Sequence, residues 1–182
     1  MIRPWEKIGD PEVIGSERGR LLLRQTYNKD GGLEDFVLYH AITRAVIIVA
    51  ITPDNKIVAT RQFRPGPNKI LIELPGGNAE EEESLAEAVT RELVEETGYE
   101  TSKIISLSHQ EIFFDPSVFN TSFNPFLALH CVHKADTNPE LEVMLVDLEK
   151  WLNMTMSGDI VDAKSLTATL MAIPQLKNSC KS

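Results

Sequence analysis

Residues 45–51 read Ala-Val-Ile-Ile-Val-Ala-Ile, seven aliphatic side chains in succession. Alternate side chains of a strand point to opposite faces of its sheet, so a strand with this sequence is apolar on both faces and must be covered on both. The chain therefore has to supply packing layers above and below one sheet. The run is far below the roughly 18 apolar residues of a bilayer span, so no membrane span is expected. The first twenty residues intersperse Arg3, Glu6, Lys7, Asp10, Glu12 and Glu17 without an apolar core, so no secretory leader is expected either.

The rest of the chain offers the partners that this strand requires. Residues 21–27 and 35–40 read as strands around the turn cluster Asn28-Lys29-Asp30-Gly31-Gly32, and residues 43–52 and 56–63 as a second pair across Pro53-Asp54-Asn55. Residues 70–74 form a short strand ended by Pro75-Gly76-Gly77. A helix over 85–97 carries explicit boundary signals: Ser84 and Glu87 make a capping box, and Gly98 supplies the left-handed stop. Strands are expected at 104–113, 123–132 and 141–146, then helices at 148–156 and 163–173, the last stopped by Pro174. This order predicts an α+β fold, a mixed sheet packed between helices, with residues 1–40 as an N-terminal strand extension and 41–182 as the main domain.

Charge is distributed in a way that bears on function. The formal net charge of −9 and a pI near 5.0 argue against a general nucleic-acid binder, since phosphate backbones reward clustered Lys and Arg. Residues 1–72 are nevertheless net +3, whereas residues 80–96 hold eight glutamates against Arg91 alone and are net −7. Metal ions and small anionic molecules are the partners such a division suits. Only Cys131 and Cys180 are present, without a C-x-x-C pair, which points to a reduced, cytoplasmic protein. Cys131 and His133 alternate onto one strand face, but no second ligand pair accompanies them as a zinc site would need.

Within helix 85–97, Ala86, Val89 and Leu93 share an apolar side and Glu92, Glu95 and Glu96 fall within an arc of about 100° beside it. These carboxylates converge on the helix C-terminus, which already carries about half a negative charge, and the like-charged Glu92/Glu96 i,i+4 pair costs about 0.2–0.5 kcal/mol more. Stability alone would place Lys or Arg there. A divalent cation removes the conflict, and oxygen-only ligands suit Mg²⁺ or Mn²⁺.

Gly77, Glu83 and the stretch Arg91-Glu92-Leu93-Val94-Glu95-Glu96-Thr97-Gly98-Tyr99 follow the spacing G-x5-E-x7-R-E-U-x-E-E-x-G-U, and the sequence thereby resembles the Nudix box. All seven fixed letters match, a coincidence on the order of 10⁻⁸ in one register at ordinary residue usage. The resemblance implies a Nudix hydrolase, a mixed sheet between helices that cleaves a nucleoside diphosphate linked to another group. It implies metal binding by Glu92 and Glu96, with Glu95 close by and the Gly76 carbonyl contributing, and Arg91 orienting the glutamates. Glu83, just before the helix cap, also suits the positive helix end.

Upstream, Arg61-Gln62-Phe63-Arg64-Pro65 and Glu73-Leu74-Pro75-Gly76-Gly77 are similar to segments of Nudix enzymes acting on ADP-ribose and other nucleoside diphosphate sugars. Arg64, Arg61, Arg44 and Glu73 are accordingly the expected substrate-binding residues, with Phe36 and Trp5 as candidates for stacking on the base. That subfamily usually has Pro-Gly shortly after the box. Here Pro116 is followed by Ser117, so the broader class, with ADP-ribose and GDP-mannose among its substrates, fits better than ADP-ribose alone. The resemblance also implies a homodimer built through the N-terminal strands and a general base from a loop after the box. Glu140 is the expected base, with Glu142 on the following strand and Glu95 as alternatives. The competing readings are a nucleoside triphosphate pyrophosphatase and a Nudix-like binding module without catalysis.

Overall fold

The computed structural model describes residues 3–17, 20–41, 44–135 and 141–179. It divides into two units. One comprises residues 1–43 with 113–122, the other residues 44–112 with 123–182.

The first unit is an antiparallel meander of β1 (Glu6–Glu17), β2 (Arg20–Lys29) and β3 (Gly32–Ala41). The β2–β3 register closes with Lys29 opposite Gly32, so Asp30 and Gly31 alone make the turn, both at positive φ, and the Asn28 side chain accepts from the Gly31 N–H. The sequence pattern predicts two strands here. The third, β1, is interrupted by register shifts between Ile8 and Glu12 and between Val13 and Gly15, where Gly9, Pro11 and Gly15 hid it. Residues 113–122 run along β3: Tyr39 N–H donates to the Val118 carbonyl at 2.8 Å, and Asn120 N–H to the Tyr39 carbonyl at 3.2 Å.

The second unit contains β4 (Arg44–Ile51), β5 (Lys56–Arg64), β6 (Lys69–Glu73), α1 (Leu85–Thr97), β7 (Tyr99–Glu100), β8 (Lys103–Ser106), the first residue of β9 (Ile112–Phe113), β10 (Ser122–Leu129) from Phe123 onward, β11 (Val132–His133), β12 (Glu142–Asp147), α2 (Leu148–Ser157) and α3 (Ala163–Ser179). Its mixed sheet has the order β12-β5-β4-β10-β8, with β6 hydrogen-bonded to β5. The seven-residue aliphatic run lies in β4, at the middle. Ile47, Val49 and Ile51 face Trp151 of α2 and Ala168, Ala172 and Leu176 of α3, whereas Val46, Ile48 and Ala50 face Ala88, Val89 and Leu93 of α1. Each face of one strand thus joins a separate core.

Three expected elements differ. The strand at 123–132 ends at Leu129, where His130 turns to a left-handed φ of 57°, so Cys131 lies outside any strand and Val132–His133 pairs with β7 instead. The strand at 104–113 is broken into β8 and β9. The final helix does not stop at Pro174 but continues to Ser179, because Pro174 is exposed and the backbone hydrogen bond it lacks is on the solvent side. Among the described residues no helix is long and apolar enough to cross a membrane.

Candidate active site

The capping box at the start of α1 is present in both directions, Glu87 N–H to Ser84 Oγ at 3.3 Å and Ser84 N–H to Glu87 Oε2 at 2.9 Å. Gly98 closes the helix in the left-handed conformation, φ 71°, donating to the Val94 carbonyl. The buried residues are Ala88, Val89, Leu93 and Thr97; Ala86, expected on the apolar side, is exposed. No basic residue occupies the last turn.

Opposite this helix runs the segment after β6. Ile48 N–H donates to the Pro75 carbonyl at 2.9 Å and Val46 N–H to that of Gly77 at 2.8 Å. Along an extended chain the intervening residue turns its polar groups the other way, and the Gly76 N–H accordingly donates to Glu96 Oε2 at 2.9 Å. A side chain at residue 76 would place its Cβ 2.2 Å from the Val46 carbonyl oxygen, and one at residue 77 would place it 2.2 Å from Glu92 Oε1. Glycine is therefore required twice, once for close packing on β4 and once to make room for a carboxylate.

Arg91 organises the glutamates. Its guanidinium makes paired bonds to Glu83 (2.9 Å each) and single bonds to Glu92 (3.0 Å), Glu95 (3.1 Å) and the Asn78 carbonyl (2.9 Å). These occupy all five donors of the fork. Glu83 is thus Arg91's partner, and that guanidinium holds its carboxyl below the usual range. The Glu92 and Glu83 side chains are nearly buried whereas Glu95 is largely exposed.

The arginines expected at the substrate have distinct partners. Arg64 forms a two-bond fork on Glu73, Nε at 2.8 Å and Nη2 at 2.6 Å, and Glu73 is only 1% exposed. This pairing raises the Arg64 pKa, and Arg64 lies within electrostatic reach of Glu96. Arg61 pairs at 2.8 Å with Glu142 across the β5–β12 register. Arg44 donates to the Glu83 carbonyl at 2.6 Å, fastening the turn before α1. Trp5 and Phe36 belong to the first unit, where their rings pack 5.5 Å apart beside Tyr27. Gly76, Glu92, Glu96, Arg91, Arg64 and Glu73 are thus brought into one neighbourhood. Glu140 lies outside the described residues. Cys131 is buried, which pushes its thiol up to about 11, and the His133 ring packs edge-on to Tyr99.

Burial pushes Glu96 up to about 7 and raises Glu92 as well, and each is raised further by neighbouring carboxylates. Among the described residues no three His, Cys, Asp or Glu side chains close around a common point. The donor set nevertheless fits a hard divalent cation: carboxylates that resist ionisation without a counter-charge, set against a glycine segment in which the Glu92 carboxylate fills the place a side chain at residue 77 would take. A sign follows for the metal-free protein. A carboxyl whose pKa is higher folded than unfolded binds more protons when folded, so stability falls as pH rises from about 4.5 to about 7, by on the order of 3 kcal/mol for Glu96. Mg²⁺ is therefore expected to raise the melting temperature more at pH 8 than at pH 5; calorimetry giving equal shifts would contradict this.

Three residues of this neighbourhood escaped the sequence reading. Asp162 accepts from Ser165 N–H (2.9 Å), Ser165 Oγ (2.7 Å) and Lys164 Nζ (2.7 Å), and Ser165 Oγ accepts from Leu74 N–H at 2.8 Å. The only signal for them was the helix-start spacing Asp162-x-x-Ser165.

Comparison with known proteins agrees with this geometry. The NUDIX domain model matches residues 41–166. The ADP-ribose pyrophosphatase of Bacillus subtilis is 32% identical over 140 residues, 74% of either chain. That of Saccharomyces cerevisiae is 39% identical over 95 residues, 52% of this chain and 38% of the yeast protein. In fold, the chain is similar to a crystal structure of an ADP compounds hydrolase, with a TM-score of 0.86, 20% identity and coverage of 98% of this chain and 97% of the other. A domain match over most of the chain, falling on the very loop and helix that gather these glutamates, establishes that the protein belongs to the Nudix family of hydrolases.

Proposed function

We propose that this Nudix hydrolase cleaves the pyrophosphate bond of nucleoside diphosphate sugars, ADP-ribose foremost, with Mg²⁺ as its cation and Mn²⁺ able to substitute. The observation that carries the reading is the presence, in one unit, of the half-buried carboxylates Glu92 and Glu96 and of the Arg64 guanidinium, which is fixed on Glu73 and lies within electrostatic reach of Glu96. The pyrophosphatase names of the bacterial and yeast relatives support the substrate class.

Glu92, Glu96 and the Gly76 carbonyl would hold the cation. Bound there, it would supply charge neutralisation for the diphosphate and activation of a water. Arg64 spends Nε and Nη2 on Glu73, leaving its Nη1 donors for a phosphate oxygen. Arg91 keeps Glu92 and Glu95 in place. A carboxylate must accept the proton of the attacking water; Glu140 is assigned this role, with Glu95 and Glu142 as alternatives. Water adds to one phosphorus, the P–O–P bridge breaks, and the products are a nucleoside monophosphate and a sugar phosphate.

Incubation with Mg²⁺ and ADP-ribose, GDP-mannose, UDP-glucose or nucleoside triphosphates, followed by separation of products, tests the assignment. AMP and ribose 5-phosphate are expected from ADP-ribose; no monophosphate from any diphosphate sugar would overturn it. Arg64→Lys keeps the charge and loses the fork, so kcat/KM is expected to fall about tenfold or more, equivalent to about 1.4 kcal/mol. The exposed Val13, Leu22 and Val37 of the first unit support self-association through its strands. Light scattering should show a dimer, and Leu22→Asp combined with Val37→Asp should yield monomers; a monomeric wild-type protein would refute this.

A further inference from the structure

The segment that presents Gly76 has two sides to satisfy. Toward β4 its carbonyls are bonded at Pro75 and Gly77, and toward α1 the Gly76 N–H is bonded to Glu96. The β5–β6 ladder ends at Glu73 opposite Thr60, so the N–H of Leu74, a residue 3% exposed, lies beyond it. Its partner comes from 91 positions further along the chain, the hydroxyl of Ser165 in the first turn of α3, 0% exposed. That hydroxyl donates onward to Asp162, whose other oxygen takes the Lys164 ammonium, and Lys164 lies 4.0 Å from Glu73. Burial would raise the Asp162 carboxyl, but the Lys164 charge and the donors of Lys164 and Ser165 outweigh it and keep it ionised.

We infer that Ser165, oriented by Asp162, is a positioning residue for the metal-binding segment: it fixes the backbone between Glu73, which holds Arg64, and Gly76, whose carbonyl serves the cation. A buried N–H deprived of its acceptor costs about 1–3 kcal/mol and is relieved by moving the backbone toward water or another acceptor. Here any such shift is passed directly to Gly76, two residues on. The inference rests on the proposed cation site.

The test is Mn²⁺ binding, followed by the EPR signal of the free ion, on folded protein well below its melting temperature, beside kcat and KM for ADP-ribose. Ser165→Ala is expected to bind Mn²⁺ at least fivefold more weakly and to lose tenfold or more in kcat with KM within about threefold. Ser165→Thr, which keeps the hydroxyl, should restore both. Thr169→Val provides the control. It removes another buried α3 hydrogen bond, Trp151 Nε1 to Thr169 Oγ1 at 2.9 Å, and should lower stability without altering Mn²⁺ affinity. Should Ser165→Ala fail to fold, Asp162→Asn must show the same weakening. Unchanged Mn²⁺ binding in Ser165→Ala or Asp162→Asn, while Glu96→Gln weakens it, overturns the positioning role alone. Failure of the wild-type protein to bind Mn²⁺ removes the cation site and this role with it.

Discussion

Glu96→Gln is expected to lower kcat/KM by three or more orders of magnitude while making the metal-free protein more stable above neutral pH. Gln retains an oxygen that can accept from the Gly76 N–H, the bond that ties α1 to the glycine segment, so the local fold has no reason to change. What it loses is charge. A thousandfold loss corresponds to about 4 kcal/mol of transition-state stabilisation, a reasonable magnitude for removing an anionic ligand from a cation that must neutralise a diphosphate. The stability effect has the opposite sign, because the wild-type carboxyl, pushed up to about 7 by burial, is forced to ionise at pH 8 in an environment that disfavours it. In EDTA the two proteins should therefore melt at similar temperatures at pH 5 and diverge at pH 8, with the variant higher. Near-normal turnover would refute the ligand assignment, and parallel melting at both pH values would refute the electrostatic account.

The second large effect is expected at Arg91. Its five hydrogen bonds reach three carboxylates and one backbone carbonyl, and it is the sole basic residue in the stretch 80–96. Arg91→Met keeps much of the aliphatic stem but leaves Glu83 and Glu92 in place without their shared cation. Removing the shared partner of a partly buried ion-pair cluster strands its carboxylates, and the metal-free protein should lose about 2 kcal/mol. For a chain of this size that is a fall of about 4–8 °C in melting temperature. Arg91→Lys should recover only part, since an ammonium cannot reproduce the paired contact to Glu83 while also reaching Glu92 and Glu95. Mg²⁺ should narrow the gap by replacing part of the missing charge. Urea denaturation showing less than 1 kcal/mol of loss would count against this organising role.

Elements dominated by local signals were legible in the sequence. β4 announced itself through uninterrupted aliphatic residues and α1 through its caps, and the spacing of the glutamates followed from the helix they share. Elements set by distant contacts were less so. β1 is broken up by Gly9, Pro11 and Gly15 and gains its strand character from pairing with β2. Pro174 looks like a terminator, yet Ala172 and Leu176 on the buried side carry α3 past it. The same distinction holds in the site. The box glutamates could be read off directly, but Glu83's role as Arg91's partner, and the attachment of Arg44 to the turn before α1, depend on loops folding back on themselves. Ser165 was beyond reach because nothing local marks which buried N–H a serine 91 residues away will accept from.

The attachment of residues 113–122 to β3 bears on the order in which the molecule can be completed during synthesis. Through Tyr39, which bonds the backbone at Val118 and Asn120 and packs its ring 5.1 Å from Phe119, the first unit draws on chain made long after its own strands. The β2–β3 hairpin is synthesised about 70 residues before that segment begins, and the whole of α1 is made in between. The first unit thus begins to form before the second and cannot be finished until the second is well under way. A cut at residue 41, where the family's domain begins, would for the same reason leave Val118 and Phe119 without the strand they lie against.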